Sequence, residues 1–434
     1  VKTKKIALIG CGTVGGGVAE ILLSRRANLD RRLAPLLELA AVVDLEVEAL
    51  AGALGIPDGV RRETDYEKVL ADPAVEIVAE LIGGIHPALE IILGALKAGK
   101  DVVTANKALL AEHGDEIFRA ARAAGRAVAF EASVGGGIPI VAALREAFVG
   151  NRIESLYGVV NGTCNYILTR MVEADLSYEA ALAEAQAAGY AETPPTLDVE
   201  GFDTAHKLAV MARLAFGVRA PLAAIAREGI AGVSLEDIHY ARQLGYTLKL
   251  LAVGREREDG LELRVGPALL RHTHPLAAIR GAFNAICVNG DAVGQAMLTG
   301  LGAGRMPTAS AVVADLVSVA LGTAGTVFGA LSQFGEVPEA NLLGPEQIVS
   351  RFYVHLLCAD RPGVLAQVAG ILSRHEISIA SCIQQDEEDP SGFVPVVFMM
   401  HEAVEAKMRG ALEEINALET VKAEGSRMLR VEDL

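Results

Sequence analysis

No run of lysines and arginines interrupts this 434-residue chain, and 39 basic against 55 acidic residues leave a formal charge of −16. A nucleic-acid binder needs a basic face, so that class of partner is excluded. Charged residues are scarce overall, at 22%, which argues against a disordered polyelectrolyte. Cysteine is sparse as well: Cys11, Cys164, Cys287, Cys358 and Cys382 are odd in number and widely scattered. They form neither paired zinc spacing nor a disulfide framework, which fits a reducing cytoplasm. No signal-peptide layout precedes the first strand-like run, KIALIG, and no internal repeat or low-complexity tract follows. One apolar stretch, residues 310–331, is about long enough to span a bilayer. It carries Asp315, is rich in Ala, Gly, Ser and Thr, and lacks aromatic or cationic anchors, so a buried helix and no membrane partner are expected.

What the chain does have is apolar mass. Hydrophobic residues make up 51%, enough for substantial cores, and the length suggests about three domains. Residues 1–134 alternate strand and helix patterns: KIALIG, LELAAVVD, EIVAELIG, DVVTAN and RAVAFEA are five strand runs, with helical stretches at 86–98 and 109–124. That alternation predicts a parallel sheet covered on both faces. From VGGGIPI onward the texture changes. IESLYGVVNGTCN reads as strand and loop, followed by helices at 167–174 and 178–188 and the loop ETPPTLD. TLKLLAVGRE, LELRVGPAL and AICVNGD read as strands of a mostly antiparallel sheet, and a long apolar helix runs from Thr308. Residues 332–350, polar and punctuated by Gly and Pro, look like a linker. The remainder reads β-α-β-β-α-β, the ferredoxin-like order, in a unit able to fold alone.

Four clusters carry chemistry. The first is Gly10-Cys11-Gly12-Thr13-Val14-Gly15. Its first glycine permits a tight turn, its second lets backbone approach a pyrophosphate, and its third allows close helix–sheet packing. It follows a strand and opens a helix, the context a Rossmann-type dinucleotide-binding domain requires, although glycines serving only a turn are the plainer alternative. The second is Asp44, at the end of the second strand run, where a carboxylate can accept from a ribose 2′-OH and would repel a 2′-phosphate. Val43 and Leu45 beside it bring no positive charge, so NAD is favoured over NADP unless Arg61 or Arg62 folds back.

The third cluster is Thr104-Ala105-Asn106-Lys107, at the carboxyl end of a strand run, where ligands of open parallel sheets lie. An ammonium there can orient a carbonyl or join a proton relay; a capping Asn and a solvent-facing Lys would look the same. The fourth gathers Glu192, Asp198, Asp203 and Lys207 around a Pro-rich loop and Gly201. Asp203 and Lys207, spaced i,i+4, project from one helix face. A surface ion pair is the plainer alternative, but carboxylates suit a substrate ammonium and a reacting alcohol needs a proton partner.

Taken together, GCGTVG, TANK, EASVGGGIP, NGTCNYIL, AGYAETPPTLDVEGFDTAHK and GAGRMPTASAVVADL resemble the homoserine dehydrogenase family, from the N-terminus to about residue 331. The C-terminal unit, with DRPGVL opening its first helix, resembles an ACT domain, a module that binds amino acids, commonly between paired copies. The resemblance implies an α/β chain with a dinucleotide-binding domain at 1–134, residues 305–331 packing back on it, and an α+β substrate and dimerisation domain at 135–304. After the linker at 332–350 it places a ferredoxin-like regulatory ACT domain at 351–434. It implies NAD(P)-linked interconversion of L-homoserine and L-aspartate 4-semialdehyde in threonine and methionine biosynthesis, by a cytoplasmic homodimer or homotetramer. The acid–base role falls on Lys207, with Lys107 close to the reacting centre, and Glu192, Asp198 and Asp203 hold or approach the substrate. Gly83, Gly84, Gly189 and Gly304 approach the cofactor. A monovalent cation, usually sodium, is held by the Glu131 side chain and the carbonyls of Val134, Gly136 and Ile138. Threonine is the expected effector of the ACT unit.

Three departures from the family pattern stand out. Thr193-Pro194-Pro195 follows Glu192 where relatives often carry an acid, Val43 replaces a frequent basic residue, and Cys164 stands where Thr is common. Val43 weakens the expected preference for NADP. Two other readings compete. A phosphorylating semialdehyde dehydrogenase needs an activated thiolate, and neither Cys11 nor Cys164 has a basic partner in sequence. A regulator that has lost catalysis is opposed by intact Lys107, Glu192, Asp203 and Lys207.

Overall fold

The computed structural model describes residues 2–32, 36–384 and 392–433. They form two compact units, the first comprising Val1–Gly162, Asp203–Ala224 and Ala282–Ala340. Its apolar runs pair as a parallel sheet of six strands: β1 Lys4–Ile9, β2 Leu37–Val43, β3 Arg61–Glu63, β4 Ile77–Glu80, β5 Asp101–Thr104 and β6 Val128–Ala129. The spatial order is β3-β2-β1-β4-β5-β6, so the chain reverses direction between β1 and β4 and opens a crevice at their carboxyl ends. Sequence reading found five of these strands. It passed over β3 because Arg-Arg-Glu is a charged edge strand with no apolar face to announce it.

The helix Thr13–Leu23 follows β1 and lies against the helix Arg305–Leu321. A Cβ at Gly17 would stand 2.8 Å from both the Ala309 side chain and the Arg305 carbonyl, so glycine is what lets the two helices approach. The long helix expected from Thr308 begins at Arg305 and breaks at Gly322, whose φ of +81° turns the chain; Thr323–Ala330 continues at 84° to it. Among the described residues no single helix is long and apolar enough to cross a membrane. The first unit also holds three antiparallel strands, in which β7 Ile153–Val159 pairs with Phe283–Gly290, and that strand with Gly294–Leu301. Residues after Val159, read as loop, instead open a helix at Gly162. The expected linker is anchored at its start: Phe334 is buried, stacks on Phe328 at 4.6 Å and meets Phe118 edge-on.

The second unit comprises Thr163–Phe202, Ile225–Gly281 and Asn341–Leu434. Its C-terminal part has the expected β-α-β-β-α-β order, with strands Val421–Glu432, Val349–Ala359, Phe393–Met400 and Ile379–Gln384 side by side in that sequence. The helices Val364–Arg374 and Glu405–Asn416 cover a core of Phe352, Val354, Val368, Phe398 and Met408. This part does not stand alone. Its strand Val421–Glu432 also pairs, in parallel, with Gly260–Arg271, which forms a hairpin with Tyr246–Arg257. The seam carries a buried charge network: Arg264 bonds Glu262 at 2.8 Å and Glu432 on the C-terminal strand, and Arg255 reaches Glu432 at 3.0 Å. Removing one member of a fully buried ion network strands the others in low dielectric, which costs about 3–5 kcal/mol. Arg264→Ala is therefore expected to lower the unfolding free energy measured in urea by that order, whereas Arg271→Ala, on an exposed pair, changes it little; equal effects in the two variants would refute this.

Candidate active site

The first unit's crevice is built by glycines. At Gly10 (φ +95°) a Cβ would lie 2.8 Å from the Leu81 backbone, and at Gly15 it would overlap the Gly10 carbonyl at 1.9 Å. Nothing but glycine closes β1 onto its helix so tightly. Gly12 faces open space, and as N-cap it gives the helix Thr13–Leu23 no side-chain cap, so the first-turn amides are left for an anion. The residues thus fit a dinucleotide pyrophosphate. Asp44 accepts hydrogen bonds from the amides of Cys11 (2.8 Å) and Glu46 (3.1 Å), tying the end of β2 to the glycine loop. Burial and the charge of Asp44 push the Cys11 thiol up to about 12, so it is no nucleophile. Arg61 is held by Asp72 at 2.9 Å, and Arg62 by the Ile56 carbonyl at 2.9 Å.

A residue that sequence reading missed organises the next strand end. Glu80, buried at the end of β4, accepts from the amides of Ile82 (2.9 Å) and Gly83 (3.3 Å) and from the Thr104 hydroxyl (2.7 Å). Burial nevertheless raises its pKa above the usual carboxylate range. Thr104 in turn accepts from the Asn106 amide at 3.0 Å, and the Asn106 side chain donates to the Gly84 carbonyl at 2.5 Å and caps the helix Lys107–Ala124. Gly83 and Gly84, both at positive φ, and Lys107 are therefore set by one network. An acid flanked by apolar strand residues just before Gly-Gly was the available signal.

Asp203, Lys207 and Lys107 meet. Lys207 Nζ donates to Asp203 at 2.7 Å and to the Val160 carbonyl at 2.6 Å; Lys107 stands 3.3 Å from the other oxygen of Asp203; Asn161 donates to Asp203 at 2.9 Å. Lys207 and Asp203 are buried, and Lys107 is partly exposed. Burial alone would raise the Asp203 carboxyl, but the charges of Lys207 and Lys107, with hydrogen bonds from Lys207 and Asn161, hold it at about 2. This is no solvated surface pair. Asn161 had no sequence signal beyond its place in NGTCN.

Glu131 is buried, and its oxygens accept from the amides of Val141 (2.9 Å) and Ala142 (2.7 Å). Its own amide donates to Asp315 at 2.7 Å. Around it, Val134, Gly136 and Ile138 form a tight buried turn: a Cβ on Gly136 would meet the Gly302 backbone at 2.6 Å, and the Ile138 carbonyl already accepts from the Ile140 amide. Gly304, at φ +122°, is the N-cap of the helix Arg305–Leu321. The remaining expected residues belong to the second unit. There Gly189 (φ +76°) opens a loop whose Tyr190 stacks near Tyr166 at 4.6 Å, Glu192 is exposed, and the half-buried Asp198 offers its carbonyl to Cys164 at 3.2 Å.

Family models agree with this layout. One described as homoserine dehydrogenase, NAD binding domain, matches residues 10–131; one described as homoserine dehydrogenase matches 139–317; an ACT domain model matches 353–420. A homoserine dehydrogenase of Pseudomonas aeruginosa is 42% identical over 438 aligned positions, covering 100% of both chains. The chain belongs to the homoserine dehydrogenase family. Its activity is that of an NAD(P)-dependent oxidoreductase. The crystal structure of a homoserine dehydrogenase from Thiobacillus denitrificans is similar at a TM-score of 0.92 and 40% identity, over 100% of this chain and 99% of that one. A hyperthermophilic archaeal homoserine dehydrogenase mutant in complex with NADPH is similar at a TM-score of 0.62 and 26% identity, over 74% of this chain and 98% of that one.

Asp203 yields a pH prediction. Its folded carboxyl lies at about 2 against an ordinary 3.8, so it contributes stability above pH 4 that is lost as pH falls through about 2. Asp203→Asn is expected to cost about 2 kcal/mol at pH 7, a gap that shrinks as pH drops from 4 toward 2. Denaturant midpoints measured down the pH scale check this; a gap independent of pH would refute it.

Proposed function

We propose that this member of the family interconverts L-homoserine and L-aspartate 4-semialdehyde in threonine and methionine biosynthesis, with Lys207 moving the proton. The Asp203–Lys207–Lys107 cluster, with Asp203 and Lys207 buried, carries this reading. Bound NAD(P) supplies hydride transfer to or from the carbon that bears the reacting oxygen. As that oxygen becomes an alcohol it must gain a proton, and Lys207 is the donor. Two of its ammonium protons go to Asp203 and Val160, leaving one for the substrate oxygen. Asp203 keeps Lys207 oriented, and Lys107 adds positive charge where oxyanion character develops. Glu192 and Asp198 recognise the amino-acid end of the substrate. The glycines at 10, 12, 15, 83, 84, 189 and 304, with Thr13 and Val14, receive the cofactor.

Asp44, with Arg61 and Arg62 engaged elsewhere, favours NAD over NADP. The buried acid Glu131, whose backbone amide donates to the buried Asp315 carboxylate, suits a structural monovalent cation, sodium by preference, with the carbonyls of Val134, Gly136 and Ile138. Five free cysteines support a cytoplasmic setting. The domain roles follow the sequence boundaries: dinucleotide binding in 1–134, substrate binding in 135–304, regulation in 351–434. The assembly is a homodimer or homotetramer, and light scattering that gave a monomer mass would remove that part of the reading.

Lys207→Ala is expected to lower kcat by about 10²–10⁴ while the dissociation constant of the cofactor stays within a few-fold. A variant retaining a tenth of kcat would refute the role. Run with both cofactors on the wild-type enzyme, the same assay should give kcat/KM for NADH at least equal to that for NADPH. L-Threonine is expected to inhibit the full-length enzyme through residues 351–434. Deleting that part is unsuitable as a test, because Val421–Glu432 pairs with strands on both sides. Titration of the intact chain decides it, and activity indifferent to millimolar threonine would leave the ACT unit a scaffold.

A further inference from the structure

The second unit contains a cavity of about 630 Å³ lined by Lys249, Arg242, Arg280 and His272. Glu173 is the only acid lining it, and it is already paired with Arg280 at 3.2 Å. In a chain of charge −16, such a concentration of cations in one concavity calls for a reason. Lys249 is the centre of it. It is 3% exposed on the strand Tyr246–Arg257, and its ammonium bonds only neutral acceptors, the Asn165 side chain at 2.8 Å and the Ile279 carbonyl. Among the described residues no carboxylate stands within 4.0 Å of it, the reach of an ion pair. A buried charge without a counter-ion is costly, and a native fold keeps one chiefly where something else supplies the opposite charge.

We propose that this cavity is an anion site for a small dianionic oxyanion, phosphate or dicarboxylate, seated against Lys249 and closed by Arg242 and Arg280. Arginine forks match the planar edges of such oxyanions, and a lysine supplies the point charge beneath. Burial, and then the charge of Arg280, push the Lys249 ammonium down to about 8, with Glu173 opposing the shift. None of the residues lining the cavity is among those assigned to catalysis or cofactor binding. It joins the helix Gly162–Ala174, through Thr169 and Glu173, to the turn at Ala278 and Arg280.

Calorimetry on the full-length chain tests this, with NADH saturating so that the glycine loop is not a second phosphate site. Inorganic phosphate and succinate are titrated at constant ionic strength set with sodium chloride. One of them should bind saturably, and the tighter of the two names the source of the oxyanion. Lys249→Met should abolish binding, and Arg280→Ala, at a largely exposed position that folding tolerates, should weaken it at least tenfold. Above pH 8 binding should also take up a proton, as the lysine recovers its charge beside the anion. Absence of saturable binding by both anions overturns the proposal, and so does binding that Arg280→Ala leaves unchanged.

Discussion

A carboxylate buried between two ammonium groups fixes the segments that meet around it. Asp203 can be charged inside the protein only because Lys207, Lys107 and Asn161 reach it. Those partners come from three distant places: the helix that Asp203 itself opens, the start of the helix after β5, and the residues just beyond β7. Satisfying one charge therefore pins three segments of the first unit. The Glu80–Thr104–Asn106 network does the complementary task at the ends of β4 and β5, because it fixes Gly83 and Gly84 through the same bonds that set the start of the helix carrying Lys107. The Gly83-Gly84 turn and the lysine are set by shared hydrogen bonds.

The parts legible in sequence were those where one local pattern determines the structure. Buried parallel strands are apolar runs, and five of six were readable as such. The glycine motif, Lys107 and the i,i+4 spacing of Asp203 and Lys207 needed only neighbours in sequence. What stayed hidden depended on partners far away. β3 is three charged residues recruited to an edge by hydrogen bonds to β2. Gly322 breaks a stretch whose composition is apolar on both sides, so hydropathy could not mark the bend. Glu80 and Asn161 act on residues 24 and 42 positions away, and a single polar residue carries no periodicity. Phe334, in a polar and Pro-punctuated segment, is buried only because Phe118, Phe130 and Phe328 converge on it.

Asp315 shows how one residue can be read correctly for an incomplete reason. In sequence it argued against a membrane span. In the fold it meets the amide of Glu131, 184 positions earlier, and burial with the nearby Glu131 charge pushes its carboxyl up to about 8. Its protonation and any cation near Glu131 are thus alternative ways of relieving the same buried negative charge.

Three buried lysines among the described residues resolve their charge differently. Lys207 has a carboxylate partner, Asp203, at 2.7 Å. Lys100 bonds two carbonyls, at 2.6 and 2.8 Å, and although burial lowers its pKa, the charge of Asp72 opposes the shift. Lys249 also bonds neutral acceptors, but the largest influence after burial is another cation, Arg280, while Glu173 only partly offsets it. A lysine kept purely to tie Asn165 to the Ile279 carbonyl would be served better without an arginine facing it. The arrangement lowers the stability of the empty cavity and raises the gain when an anion enters, because the same electrostatic strain that weakens the one state is released in the other.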